Sequence, residues 1–174
     1  MQALAFWKTI TVDQSNFLDK LVALLNERKI RYCVIGGQAV NAFAEPLVSL
    51  DLDLIVSVDQ IENVESLMKG VFKLERFPHS LNVSMAGSDL RVQIQTDPRY
   101  YDFVERATRR EVLGLSLPVA AVDDVLKGKV WAAQDAERRA SKRQKDLADI
   151  ARLLEAHPQL RRQVPEGILK QLVS

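Results

Sequence analysis

Apolar residues recur along this chain with two different periods. Between residues 13 and 29, Phe17, Leu18, Leu21, Leu24 and Leu25 fall at helical spacing behind Asp13, a candidate N-cap, which predicts an amphipathic helix. Residues 31–35, Arg-Tyr-Cys-Val-Ile, read as a buried strand. Gly36-Gly37 ends it, and a short helix is expected from Gln38 to Ala44, stopped by Glu45-Pro46. Residues 50–56 alternate Leu-Asp-Leu-Asp before turning apolar, the period-two signature of a strand. Asp59 and Glu62 have capping-box spacing ahead of a helix whose face is Ile61, Val64, Leu67, Met68 and Val71.

Residues 79–86 and 89–96 are expected to form a hairpin around Ala86-Gly87-Ser88-Asp89. A short helix near Tyr100–Arg106 and one last strand region over 108–119 follow, broken by Gly114 and Pro118. From Asp123 the pattern is helical: Leu147, Ile150, Ala151 and Leu154 make one face, His157-Pro158 ends it, and 159–174 suits one more short helix. The expected class is α+β. A small mixed sheet with packed helices occupies residues 1–120, and a helical part of the same compact unit occupies 121–174.

Composition narrows the function. The chain has 174 residues, enough for one sizeable core, and 24 Lys+Arg against 23 Asp+Glu, which argues against a protein that coats nucleic acid. No apolar run approaches the roughly 18 residues that span a bilayer. The stretch Met1–Trp7 lacks a basic n-region and is too short for a secretory signal. These features predict a cytoplasmic protein without a membrane partner. Its one cysteine, Cys33, excludes an internal disulfide and reads as core. His79 and His157 have no partner pattern, and Trp7, Trp131, Tyr100 and Tyr101 read as packing residues.

Charge is unevenly placed. Residues 32–68 hold six acids and no Lys or Arg, whereas 127–145 hold seven bases and two acids. Such asymmetry suits either plain solvated surface or a cleft with a cation on one wall and an anion on the other. Arg138, Arg139, Lys142 and Arg143 read equally as a solvated helix face or as nucleic-acid or phosphate contacts, and Asp146 with Asp149 as helix surface or as a capping and ion-pair feature.

The informative spacing is Gly36-Gly37, thirteen residues, then Asp51-Leu52-Asp53. Two Asp residues two apart on a strand share a face, with Cα atoms about 7 Å apart. Their carboxylates can converge on Mg²⁺, a hard cation that prefers oxygen donors, waters and substrate phosphates. A Gly-Gly turn that opens a helix presents backbone N–H groups to an anion, with no Cβ in the way. Alone, the glycines read as a tight turn and the acids as the solvent face of an edge strand. Together they make a workable phosphoryl-transfer site.

The pattern Gly36-Gly37…Asp51-Leu52-Asp53 resembles the signature of the DNA polymerase β-like nucleotidyltransferase superfamily. More narrowly, it is similar to small bacterial minimal nucleotidyltransferases and proteins related to AbiEii-type abortive-infection toxins. Residues 117–126, Lys129 and Lys142–Ile150 are similar to the C-terminal helical part of those proteins, so the resemblance spans roughly residues 13–156. It implies transfer of a nucleoside monophosphate from an NTP to a hydroxyl on a protein, tRNA or small molecule. Asp51 and Asp53 would bind Mg²⁺ or Mn²⁺, and Gly36 and Gly37 the nucleotide phosphates. Lys129 and Lys145 would contact the triphosphate, and Ser49 stands where the family often has a small hydroxyl residue.

Two positions depart from the family pattern. Gln93, with Gln95 beside it on one face, stands where a third catalytic carboxylate is expected, unless Asp89 or Asp97 replaces it. Leu47 stands where relatives often carry Arg. An amide is a poor general base, so the alternative is a catalytically degenerate module that binds nucleotide or a cognate toxin–antitoxin partner. An RNA-binding module on the basic helices ranks below both. Phe6, Trp7, Ile168, Leu169, Leu172 and Val173 are expected to form an apolar patch suited to a homodimer.

Overall fold

A computed structural model describes residues 16–172. A seven-stranded mixed sheet runs in the order β3-β4-β5-β2-β1-β7-β6, with strands β1 Tyr32–Ile35, β2 Asp51–Val56, β3 Lys73–Phe77, β4 Ser80–Ser84, β5 Arg91–Gln95, β6 Thr108–Val112 and β7 Leu115–Val119. The pairs β1–β7 and β2–β5 are parallel and the other four are antiparallel. The helices are α1 Phe17–Glu27, α2 Gly36–Phe43, α3 Ile61–Lys69, α4 Phe103–Arg106, α5 Val122–Gln134, α6 Ala140–Ala156 and α7 Glu166–Leu169. The α+β class is as expected.

The central strand β1 is buried along its whole length, as its unbroken apolar run requires. Helix α1 buries Phe17, Leu18, Leu21 and Leu25, one apolar stripe, and Phe17 meets the Phe72 ring at 5.1 Å. The expected cap Asp13 lies outside the described residues. Helix α2 starts directly from β1 and packs on β1, β2 and β6, and α5 and α6 pack on α2 and on each other. These three helices make a wall beside β2.

The alternation in β2 sends Leu52 and Leu54 into the core and leaves Asp51 and Asp53 on the opposite face. In β4 and β5 the same period buries Leu81, Val83, Val92 and Ile94 and turns Asn82, Ser84, Arg91 and Gln93 toward the face shared with the acids. That face is polar and open.

The structure departs from the sequence reading at several elements. Strand β3 was not expected. It is an edge strand whose Lys73, Glu75, Arg76 and Phe77 are exposed, so it has no apolar period to read, and its charges suit an edge. Residues 108–119 form a hairpin and not one strand, because Leu113 (φ 53°) and Gly114 (φ 83°) both turn left-handed, as a two-residue hairpin loop requires. No capping box forms at Asp59. Its carboxylate accepts from Ser57 Oγ at 2.5 Å within a 3₁₀ turn, Val58–Gln60, and α3 begins at Ile61.

The tail is a 3₁₀ segment, Pro158–Gln163, followed by α7. Ile168 is buried and Leu169 and Leu172 pack against the core, so these three do not form an exposed patch. Phe6, Trp7 and Val173 lie outside the described residues. Cys33 is core, and burial pushes its thiol up to about 12.

Candidate active site

The sharp turn from β1 into α2 sets the geometry. Ile35 lies opposite Asp53 in the β1–β2 ladder, and Gly36 follows with φ +69°. A methyl group on Gly36 would overlap Asp53 Oδ2 outright and lie 3.1 Å from Asp53 Cβ and Cγ. Gly36 is thus required twice, for its left-handed backbone and for room beside the acid. Gly37 is less constrained, since a Cβ there would meet only Asp149 Oδ2 at 4.0 Å. Gly36→Ala is expected to cost about 1–2 kcal/mol for the left-handed conformation alone, with more for displacing Asp53, whereas Gly37→Ala should leave stability nearly unchanged. Thermal melting of the two variants checks this.

Asp51 is held by charge. Its Oδ1 lies 2.7 Å from Arg91 Nε and its Oδ2 3.8 Å from Lys142 Nζ, and its N–H donates to Ser49 Oγ at 3.2 Å. The carbonyl of Ser49 in turn accepts from the buried Gln38 side chain, which ties the loop before β2 to α2. Asp53 is different. Burial pushes its carboxyl above the usual range, Lys129 pulls it back, and Asp51 pushes it up again.

Gln93 lies directly opposite Asp53 in the parallel β2–β5 ladder and is exposed on the cleft face. Neither Asp89 nor Asp97 takes its place. Asp89 precedes β5, which starts at Arg91, and Asp97 caps the next 3₁₀ turn and pairs with Arg99 at 2.9 Å. The Gln95 side-chain Oε1 accepts from the N–H groups of Thr96 and Asp97, both at 3.1 Å, so the Gln95 side chain serves the turn. Glu75 also reaches the cleft. It sits in the row Glu75–Asn82–Gln93–Asp53, three strand spacings or about 14 Å from Asp53, too far to complete one metal site with it. Among the described residues no group of three or more His, Cys, Asp or Glu clusters as a metal site.

The opposite wall is a buried ion network. Asp146 and Asp149, expected on the helix surface or in ion pairs, are 1% and 2% exposed and ion-paired. Lys129 Nζ lies 3.2 Å from Asp146 Oδ1 and 2.8 Å from Asp149 Oδ2. Arg138 grips Asp146 through Nε and Nη2 at 2.8 and 3.0 Å, and Arg152 Nη2 donates to Asp149 Oδ1 at 2.8 Å. Burial opposes the charge on Lys129, but Asp149 and Asp146 outweigh it and raise its pKa. Burial likewise opposes ionisation of Asp149, and Lys129 and Arg152 outweigh it and hold that carboxyl below the usual range. Lys129 therefore lines the cleft with its ammonium already held by two carboxylates, while Lys145 is exposed at the rim.

Between the walls lies a cleft of about 380 Å³, lined by Gly37, Ser49, Asp51, Asp53, Lys142 and Lys145 among others. A recess of about 100 Å³ continues behind Asp53 between Ile35, Tyr100, Phe103 and Gly128. Seven of the eight site residues expected from sequence (Gly37, Ser49, Asp51, Asp53, Gln93, Lys129 and Lys145) line the cleft, and the eighth, Gly36, lines the recess. Arg91, on Asp51, was not singled out, and Lys142, also on Asp51, was weighed as a solvated residue or a phosphate contact and not as a partner of that acid. Arg138 was weighed only as one of four bases that read equally as a solvated face or as a contact.

Known structures share this architecture. ANT(2'')-Ia in complex with adenylyl-2''-tobramycin superimposes with a TM-score of 0.63 at 11% identity, over 91% of this chain and 98% of that one. The lincosamide antibiotic adenylyltransferase LnuA, in its lincomycin-bound structure, gives 0.55 at 12% identity, over 82% and 99%. The protein has a nucleotidyltransferase fold. Residues 38–172 match the model of the nucleotidyl transferase AbiEii toxins of type IV toxin–antitoxin systems, and the chain belongs to that family. A search of curated proteins gives no significant match. No helix among the described residues is long and apolar enough to cross a membrane.

Proposed function

We propose that this protein transfers a nucleoside monophosphate from an NTP to a hydroxyl acceptor, as the toxin of a toxin–antitoxin pair. The observation that carries this reading is the pair Asp51 and Asp53 on one face of β2, facing a cationic wall across a cleft. The donor set fits Mg²⁺ or Mn²⁺: two carboxylates and the Gln93 amide oxygen are hard donors, and the open cleft leaves room for water and phosphate ligands. Asp51 and Asp53 would hold the ion, which when bound supplies neutralisation of phosphate charge.

This chain's own groups do the rest. Lys142 and Lys145 face the triphosphate, and Gly37 lets phosphate approach the backbone. Gln93 orients the acceptor hydroxyl by hydrogen bonding. The acceptor oxygen bonds to the α-phosphorus, the α–β anhydride bond breaks and pyrophosphate leaves. The hydroxyl proton passes to solvent, because a loose transition state needs little deprotonation before bond formation. One observation favours a second reading: Gln93 cannot take that proton, so the same cleft also suits a module that binds nucleotide without turnover.

The test incubates the protein with each NTP labelled at the α-phosphate, Mg²⁺ or Mn²⁺ and a lysate, beside the Asp51→Ala/Asp53→Ala variant. Label transfer by the wild type and none by the variant is expected. Calorimetric NTP binding without transfer supports the second reading, and neither binding nor transfer overturns both.

A further inference from the structure

The buried network holds two carboxylates, Asp146 and Asp149, against three cations, Lys129, Arg138 and Arg152. Against these two carboxylates one positive charge is in excess, and it faces Asp53, whose charge Lys129 and Arg138 both favour. The three cations are not equally placed. Lys129 and Arg138 both line the cleft and the recess behind Asp53, but the side chains of Lys129 and Arg152 are 10% and 15% exposed, whereas that of Arg138 is 34% exposed.

Its guanidinium is also used on one edge alone. Nε and Nη2 grip Asp146, while Nη1 and the outer N–H of Nη2 have no partner among the described residues. The grip is rigid because Asp146 is 1% exposed and carries Lys129 as well. The loop that presents Arg138 is pinned too: Arg143 Nη2 donates to the carbonyls of Asp135 and Arg138, at 2.8 and 3.4 Å. A guanidinium fixed along one edge by a carboxylate offers a planar fork of donors along the other, which matches an anionic phosphate oxygen.

We propose that Arg138 is a phosphate-binding residue of the cleft, positioned by Asp146 to take an oxygen of the nucleotide's polyphosphate. The assignment deepens the nucleotide reading above and rests on it for the identity of the ligand. It places the ligand-facing charge of this wall on Arg138, with Lys129 as the buried link behind it. Removing Arg138 leaves Asp146 and Asp149 matched by Lys129 and Arg152, so the network stays balanced without it.

The probe is inorganic tripolyphosphate with Mg²⁺, titrated by calorimetry into the full chain, with thermal melting as the folding control. Wild type is expected to bind. Arg138→Ala should weaken binding on the order of 10- to 100-fold, the worth of a charge-assisted hydrogen-bonded pair, with a melt that is lowered but still cooperative, because Lys129 still holds Asp146. Arg138→Lys keeps the charge without the fork and should fall between. Should Arg138→Ala fail to fold, Arg138→Gln retains a donor to Asp146 and must show the same weakening. Unchanged tripolyphosphate binding in the folded variant overturns the assignment, as does wild type that does not bind. The two readings separate cleanly. Label transfer with a KM for NTP unmoved by Arg138→Ala sinks the assignment alone. Arg138-dependent tripolyphosphate binding without transfer sinks turnover alone.

Discussion

Asp53→Asn is expected to abolish label transfer, by a factor on the order of 10³ or more, while melting at or above the wild-type temperature. The two halves of this result have one cause. Burial dominates the environment of Asp53 and raises its carboxyl pKa, against the pull of Lys129. A carboxyl whose pKa is higher folded than unfolded loses stability as pH rises through that interval, and at neutral pH its charge is a load on the fold. The amide keeps the shape, fits beside Gly36 and removes the load. Activity goes because the charge that would face the metal and the nucleotide goes with it. Melting without added divalent metal, from acid to neutral pH, should show the variant's advantage shrink as pH falls toward the ordinary carboxylate range. A variant that loses transfer and also melts well below wild type would make Asp53 a structural residue and defeat the argument.

Such a load is readable from sequence only in part. The alternation Leu-Asp-Leu-Asp over residues 50–53 announces two acids on one face, because a strand has no other way to bury both leucines. What sits against those acids is not announced. Gly36 reads as room for phosphate, yet the nearest demand on it is Asp53 itself. That demand comes from the pairing of Ile35 with Asp53, a long-range register. The Gln93 position was legible because β5 is short and alternates strictly, and the ladder puts Gln93 beside Asp53. Strand β3 was illegible because an exposed edge needs no apolar face. The ion network was illegible for a further reason. Asp146, Lys129 and Arg138 meet only because the loop between α5 and α6 brings Arg138 back over α6, and that loop is held by Arg143 on backbone carbonyls, which leave no trace in residue types. The opposed charges of residues 32–68 and 127–145 do meet, through Lys142 and Asp51, but much of the basic charge neutralises acids within its own helices.

Lys129→Met should therefore be foremost a stability variant. Methionine preserves length and packing and deletes the one cation among the described residues that touches both buried carboxylates, at 3.2 and 2.8 Å. Removing one partner of a buried pair costs about 3–5 kcal/mol, and the lower end applies because Arg138 and Arg152 each still hold one acid. About 3 kcal/mol in a domain of this size lowers the melting temperature by roughly 6–12 °C. The pH dependence follows from the directions of the two shifts. Lys129 has a raised pKa, so its contribution is complete below the ordinary lysine range and fades only in alkali. Asp149 has a lowered pKa, so its contribution is complete above the ordinary carboxylate range and fades as pH falls through its folded value. The deficit of the variant should then be constant across neutral pH and narrow in acid, once Asp149 no longer needs a partner. Lys145→Met is the control, since Lys145 is exposed at the rim and its loss should leave melting unchanged. If instead Lys129→Met melts with the wild type and loses NTP binding, the ammonium serves the nucleotide first and the acids second, and the division of labour between Lys129 and Arg138 is reversed.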